Sequence, residues 1–145
     1  MGKPLACSVS FQIRHTVATA RDLAVGLPWT MTAGWTAGEP RVTPTGRPLG
    51  GVREESYCSF RIARRDDGEM ARSISEIMDV LEAHRSHLEE ISRTGGRLNI
   101  FVFWRAGGDT GETFNADVLG RLASLNVDLG INVYDDRGSQ DQNDA

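Results

Sequence analysis

The sequence predicts an α+β fold, a two-layer sandwich in which a mostly antiparallel or mixed sheet of about five strands carries three helices on one face. Residues 7–13, 56–62 and 127–134 alternate apolar and polar side chains with the period of two that strands with one buried face show. Residues 69–93 instead place apolar side chains at helical spacing. The polar strand faces favour this fold over a parallel sheet covered on both sides.

The first half of the chain is predicted to form a strand, a short helix, a long loop and a second strand. The first strand covers residues 7–13. Thr16 is the expected N-cap of a helix that runs to about Leu27, with a thin apolar side. A loop over residues 26–53 follows, and the second strand extends from about residue 53 to residue 64.

The second half begins with the longest helix, predicted over residues 69–93 and ended by Gly95-Gly96. The third strand, residues 98–104, is apolar on both sides over its middle, so we expect it to be central in the sheet. The segment RAGGDTGE, residues 105–112, predicts a hairpin-like turn that leads into a short extended piece at residues 113–114.

Asn115 is the expected N-cap of the last helix. Its buried side is predicted to consist of Val118, Leu119, Leu122 and Ala123. The last strand covers residues 127–134. Residues 136–145 are polar up to the final Ala and are predicted to be disordered, so we expect a single domain over residues 1–135.

Composition restricts the function classes. The chain has 145 residues, a formal net charge of −4 and a pI near 5.3, which disfavour nucleic acid as a partner because a nucleic-acid binder needs a clustered basic face. No window reaches the roughly 18 apolar residues of a membrane span, so no membrane association is predicted. Cys7 and Cys58 fall in predicted strands, which favours buried free thiols and a cytoplasmic location.

The long loop is the candidate contact surface. Residues 26–53 contain six Gly, four Pro, two Trp, three Arg and one Glu, a net charge of +2 on an acidic chain. Long loops in compact domains are commonly binding loops, and Trp and Arg are enriched among residues that dominate binding energy. The candidate binding residues are Trp29, Trp35, Gly38, Glu39, Arg41, Arg47 and Arg53.

No catalytic residue, metal site or cofactor is predicted. The G-x-S-x-G, H-E-x-x-H and C-x-x-C patterns are absent from the sequence. His84, His87 and Glu90 have the three-residue spacing that can bring ligands to one metal, but His87 points away from the apolar stripe near which His84 lies, so we interpret the set as structural. The glycines of residues 107–111 fit a hairpin turn.

Three functions stay open on these residues. The leading hypothesis is a small, non-catalytic interaction module whose loop contacts a protein partner or a small anionic ligand. One form of this hypothesis is a neutralising, immunity-type protein. The alternative is a small-molecule sensor or enzyme near the same loop, with His15, Glu39 and Tyr57 as its residues. In the third, the loop only covers the exposed face of the sheet and stabilises the fold. The sequence does not predict an oligomeric state.

Three local patterns carry a resemblance to a known family. They are Trp35-Thr36-Ala37-Gly38-Glu39, the FNADVLGRLASL of residues 114–125 and the VDLGINVY of residues 127–134. With the order of the elements, they make the chain similar, over about residues 5–135, to the bacterial family known as domain of unknown function 4279. This chain departs from the family pattern at His15-Thr16-Val17, where relatives often have an acidic residue, and at Tyr57 in place of Trp. The resemblance implies a fold and a bacterial origin, and it carries over no catalytic residue.

Overall fold

Seven strands and four helices make up the part of the chain that the computed structural model describes, residues 6–65, 69–107 and 111–135. In chain order they are β1 (Ala6–His15), α1 (Ala20–Ala24), β2 (Ala33–Trp35), β3 (Pro40–Val42), β4 (Pro48–Val52), β5 (Ser56–Arg65), α2 (Met70–Ala83), α3 (Arg85–Arg93), β6 (Arg97–Ala106), α4 (Ala116–Ser124) and β7 (Val127–Asp135). The predicted α+β class is confirmed. The predicted disordered tail, residues 136–145, lies outside the described residues.

The main sheet is mixed and has five strands, as predicted, and the structure gives their order as β2-β5-β1-β6-β7. Neighbouring strands in this sheet are antiparallel, except that β6 and β7 are parallel. The centre of the sheet is β1, which pairs with both β5 and β6. The strand predicted to be central, β6, is an interior strand between β1 and β7 and lies one place from the centre. This interior position accounts for the apolar side chains on both of its faces.

One face of the sheet carries the core. Alternate residues of the three inner strands are fully or nearly fully buried against the helices, and the largest of them are Phe11, Ile13, Phe60, Leu98 and Ile100. The intervening residues of the same strands are polar or aromatic and, apart from buried Ser59, half-buried or exposed where their burial is described. The main sheet therefore has an open face, on which side chains from four strands can act together.

The predicted single helix over residues 69–93 is two helices, so the structure has four helices instead of the predicted three. The break is at His84, which has φ −112° and ψ 26° and whose backbone N–H donates to Leu81 O at 3.0 Å. The His84 ring nitrogen Nδ1 also bonds to Val80 O at 3.0 Å, which holds the end of α2. The change of direction buries Leu88 and Ile91 of α3 against the sheet.

The first helix begins later than predicted. Thr19, not Thr16, is the N-cap, and its Oγ1 accepts a hydrogen bond from Asp22 N at 3.1 Å. Residues 17 and 18 are held instead by buried His15, whose Nδ1 accepts from their backbone N–H groups at 3.0 and 2.9 Å. The imidazole thus takes the donors that a helix starting at Thr16 would have used.

The last helix begins at the predicted cap. Asn115 Oδ1 accepts from Val118 N at 2.9 Å. The predicted buried side is too wide, because Leu119 is 47% exposed and Ala123 is also exposed. The helix is turned so that Arg121 faces α2, where it donates to Glu82 Oε1 at 2.7 Å and to Ser75 Oγ at 3.2 Å. No strand forms at residues 113–114, and the turn predicted before them lies partly outside the described residues.

Replacing Asn115 with alanine should lower the free energy of unfolding by about 1 kcal/mol, because one N–H of the first turn of α4 loses its acceptor. Urea denaturation measures the change. Asn115→Asp is the matched control, since a carboxylate at this position caps the helix and should leave stability nearly unchanged. Equal stability of the alanine and aspartate variants would show that this cap contributes little.

Candidate functional site

Residues 26–53 do not form the continuous loop that the composition predicts. Three strands lie within them: β2 joins the edge of the main sheet beside β5, while β3 and β4 form a separate two-stranded hairpin. Gly50 and Gly51 lie inside β4, with φ of +82° and +70°. Because neither has a side chain, the strand shows no alternation of apolar and polar residues from which it could be predicted. Every residue of β3 and β4 is exposed, and the hairpin projects from the domain.

Trp29 fixes the first part of this segment to the core. Its ring lies 6.0 Å from the Phe11 ring and 6.2 Å from the Phe60 ring, measured between centroids. Both phenylalanines are buried, and Trp29 itself is half-buried. Trp29 is therefore a packing residue on the helix side of the sheet, apart from the other candidate binding residues.

The turn after β2 is held by hydrogen bonds to neighbouring elements. Buried Ser56 accepts from Ala37 N at 2.8 Å through its Oγ, which in turn donates to Ala18 O. Thr36 Oγ1 accepts from Ala20 N at 3.0 Å. Gly38 has a φ of +87°, which disfavours other residues, and its N–H donates to Arg53 O at 2.8 Å. The base of the hairpin is thus fixed relative to the sheet.

Trp35 is the centre of a stack on the open face. The guanidinium carbon of Arg53 lies 3.8 Å from the centroid of the Trp35 ring. The centroid of the Trp35 ring also lies 4.7 Å from that of the Tyr57 ring, and the guanidinium carbon of Arg14 lies 4.5 Å from the centroid of Tyr57. Trp35, Tyr57 and Arg14 are cross-strand partners, so the register of β2, β5 and β1 produces the row.

The row continues across the sheet through an ion-pair network. Arg97 on β6 is the cross-strand partner of Arg14. Glu55 lies between the two guanidinium groups, at 3.2 Å from Arg14 and 3.3 Å from Arg97. One carboxylate therefore bridges two arginines at the end of the open face.

Arg53 lacks a carboxylate partner in the described part of the chain. Its Nη2 donates to Val42 O at 3.2 Å, and its Nε is buried without a hydrogen-bond partner among those residues. Two grooves meet at its stack with Trp35. The first, about 410 Å³, lies between β2 and β3, and the second, about 340 Å³, opens toward Arg14 and Arg41. The guanidinium is thus oriented by its surroundings and lies against both grooves.

The remaining candidate residues occupy different positions. Glu39 is exposed and lines the first groove, and exposed Arg41 lines the second. Arg47 follows the hairpin turn, where its backbone N–H donates to Thr43 Oγ1 at 2.9 Å. The structure therefore brings Trp35, Glu39, Arg41 and Arg53 together around one stack, with Gly38 shaping the turn, and places Trp29 and Arg47 elsewhere.

The trio of His15, Glu39 and Tyr57 does not converge. His15 is on the buried side of β1, where its Nε2 lies 2.9 Å from Thr94 Oγ1. Because its Nδ1 accepts two backbone hydrogen bonds, the ring carries its proton on Nε2 and donates to Thr94. Tyr57 faces the opposite side of the same sheet, so the sheet separates the two rings.

The other reactive groups have structural partners. Cys7 and Cys58 are buried thiols that are not in a disulfide, and burial raises the pKa of Cys58 to about 11, which keeps it protonated at neutral pH. His87 Nε2 bonds to Leu23 O at 2.9 Å, which anchors α3 to α1. Within residues 6–65, 69–107 and 111–135, no group of three His, Cys, Asp or Glu side chains is placed to hold a metal ion, and no helix is long and apolar enough to cross a membrane.

A family model described as "Domain of unknown function (DUF4279)" matches residues 6–136. The chain belongs to the DUF4279 family. In this DUF4279 domain, the Trp35–Glu39 pattern covers the last residue of β2 and the turn at the base of the hairpin. Its first residue, Trp35, is the centre of the stack described above. No curated protein and no solved structure matches the chain. The description of the DUF4279 family assigns no activity, and the roles of these residues rest on their geometry.

Proposed function

We propose that this DUF4279 domain is a small, non-catalytic interaction module that binds an acidic segment of a partner protein. Its contact surface, the Trp35–Arg53 surface, consists of Trp35, Arg41 and Arg53 with the exposed residues of β3 and β4. The observation that carries the proposal is the Arg53 guanidinium, stacked on Trp35 without a carboxylate partner among the described residues.

The energetics of Arg53 support this proposal. A buried guanidinium nitrogen without a partner lowers stability, since it has lost water and gained nothing in return. Nε itself is closed to a ligand as it is to water, so a ligand would offset this cost through acceptors at the Nη atoms of the half-buried side chain, which lies against both grooves. A carboxylate fits the planar fork of a guanidinium in a bidentate arrangement, and the Trp35 ring already fixes the plane of that fork.

The surface around the stack has the composition of a protein contact. Val42, Leu49 and Val52 of the hairpin are 40%, 46% and 56% exposed, and Val42 and Val52 line the two grooves. Trp and Arg are the residue types that most often dominate binding energy when a partner covers them. Apolar side chains beside an oriented cation favour a protein segment over a small ion alone, because a small ion would leave them in water.

Charge favours an acidic segment. The second groove is lined by three arginines, Arg14, Arg41 and Arg53, and by two glutamates, of which Glu55 is already paired with Arg14. The rest of the chain is acidic, so an acidic partner is attracted to this surface and repelled elsewhere. Neutralisation of a toxin-like partner is one form of such a module, and two cysteines outside any disulfide suit a reducing cytoplasm.

Affinity capture with matched variants tests the proposal. Wild-type protein, Trp35→Ala, Arg53→Gln and the control Arg72→Gln are immobilised and exposed to lysate of the source organism, and bound proteins are quantified by mass spectrometry. Arg72 is an exposed arginine on α2 whose ion pair with Glu76 is at the surface. A partner of this surface should be enriched by wild type and Arg72→Gln, and reduced about tenfold or more by the other two variants.

Circular dichroism and urea denaturation of each variant separate lost binding from lost folding. The same proteins captured equally by all four samples would overturn the proposed surface. Capture that depends on Trp35 and Arg53 but is competed completely by a millimolar concentration of a small dicarboxylate would instead identify a small anionic ligand as the occupant.

A further inference from the structure

A polar depression lies on the open face, next to the Trp35–Arg53 surface. It has a volume of about 180 Å³ and is lined by Gln12, Arg14, Arg97, Asn99 and Asp128. Three neighbouring strands, β1, β6 and β7, supply these residues. Two adjacent cross-strand rows meet in it, one formed by Arg14 and Arg97 and the other by Gln12, Asn99 and Asp128.

The arginine row places two positive charges directly opposite each other on neighbouring strands. Arg14 and Arg97 are direct cross-strand partners, and like charges in that position destabilise a sheet. Glu55 contacts both guanidinium groups, so it offsets one of the two positive charges. Residues that violate a local rule without full compensation are commonly found at functional sites. One positive charge at this end of the depression remains for a further acceptor.

The second row supplies hydrogen-bonding groups of both kinds and a negative charge. Asn99 Nδ2 donates to Gln12 Oε1 at 3.1 Å, which leaves the Gln12 amide nitrogen as a donor and the Asn99 oxygen as an acceptor. Asp128 is exposed on β7, beyond Asn99, and forms no ion pair with another residue in the described part of the chain. The depression thus has a positive end and a negative end, with an amide pair between them.

Its size selects a small ligand. The volume is below the roughly 300–1,000 Å³ of pockets for drug-sized molecules. It is about six times the ~30 Å³ that one water molecule occupies in the liquid, which is room for about six to eight non-hydrogen atoms.

We propose that this depression, the zwitterion site, binds a small free α-amino acid. The carboxylate of the ligand pairs with Arg14 and Arg97, and its ammonium group pairs with Asp128 and the oxygen of Asn99. The two charges of such a ligand match the two ends of the site, whereas a simple anion or a simple amine satisfies only one end. This inference goes beyond the proposed function, because the site lies outside the hairpin and its ligand is a metabolite.

Titration of the ¹⁵N-labelled protein, followed by NMR, tests the site with L-alanine and L-serine as probes. Both should shift the side-chain amide signals of Gln12 and Asn99 and the backbone signal of Asp128 in a saturable way. Propionate and propylamine, each lacking one charge, should bind at least about tenfold more weakly. Asp128→Asn and Arg97→Gln should each raise the dissociation constant of L-alanine about tenfold or more, while Arg61→Gln, exposed on the same face, should leave it unchanged.

Absence of saturable shifts at Gln12, Asn99 and Asp128 would overturn the inference, as would equal binding of L-alanine and propionate. Equal affinity of wild type and Asp128→Asn would also overturn it. Neither Asp128 nor Arg97 belongs to the Trp35–Arg53 surface, so failure of the partner capture would leave these results unaffected, and the reverse also holds.

Discussion

Replacing Trp29 with alanine should lower the free energy of unfolding by about 3 kcal/mol, the lower end of the range for a packed Trp, because the side chain is half-buried. Its ring packs against the rings of Phe11 and Phe60, which are fully buried in the core of the main sheet. Removing it leaves a cavity over both phenylalanines and detaches the segment that leads to β2. Urea denaturation followed by circular dichroism measures the change.

Trp35→Ala is the matched control, since both tryptophans lie in residues 26–53. Trp35 contributes a ring contact with Tyr57 and a cation–π contact with Arg53, so its loss should lower stability by about 1 kcal/mol. We expect the Trp29 variant to lose stability and the Trp35 variant to lose partner capture. If the Trp35 variant proves the less stable of the two, the division between packing and contact residues is wrong.

Replacing Gly96 with alanine should lower the free energy of unfolding by about 1–3 kcal/mol. A Cβ at this position would lie 2.8 Å from Ile91 O and 3.0 Å from His15 Cδ2, and still closer to Ile91 Cγ2. The backbone oxygen cannot move by a change of rotamer, and Gly96 N also donates to it at 2.8 Å. The turn between α3 and β6 must therefore shift, and the hydrogen bond between His15 and Thr94 shifts with it.

Gly120→Ala is the control for this prediction, because a Cβ there meets no atom within 4 Å and Gly120 lies inside α4. Alanine stabilises a helix interior relative to glycine, so this variant should gain about 0.5–1 kcal/mol in the same denaturation experiment. A gain at Gly96, or equal effects at both positions, would contradict the packing described for the α3–β6 turn.

The sequence predicts the elements that have a local signal, either a regular pattern of apolar side chains or a capping residue. The three inner strands of the main sheet alternate buried and outward-facing side chains over enough residues to be recognised. Asn115 predicts the start of α4, because a cap bonds to the backbone only three residues away. The short strands escape prediction for a physical reason. Three residues in β2 give no period, and β4 contains two glycines at positive φ. The break at His84 depends on how α3 reaches the sheet, which is a tertiary effect.

The candidate site is predictable only in part. Composition indicates Trp35, Arg41 and Arg53, because they stand close together in an unusual segment. Arg14 and Arg97 come from strands far apart in the chain, and each appears in the sequence as an ordinary polar position of an alternating strand. Their meeting follows from strand order and register, which are set by long-range pairing and not by local composition.

The central position of β1 has a consequence for folding during synthesis. Gln12 on β1 and its hydrogen-bond partner Asn99 on β6 are 87 positions apart. At roughly 5–20 residues per second, a ribosome needs about 4–17 s to produce the second strand after the first. During this interval one long edge of β1 has no partner strand, although β1 will be the central strand of the finished sheet. Because an unpaired strand edge can pair with another chain, the nascent chain carries an aggregation hazard in this interval that ends when β6 covers the edge.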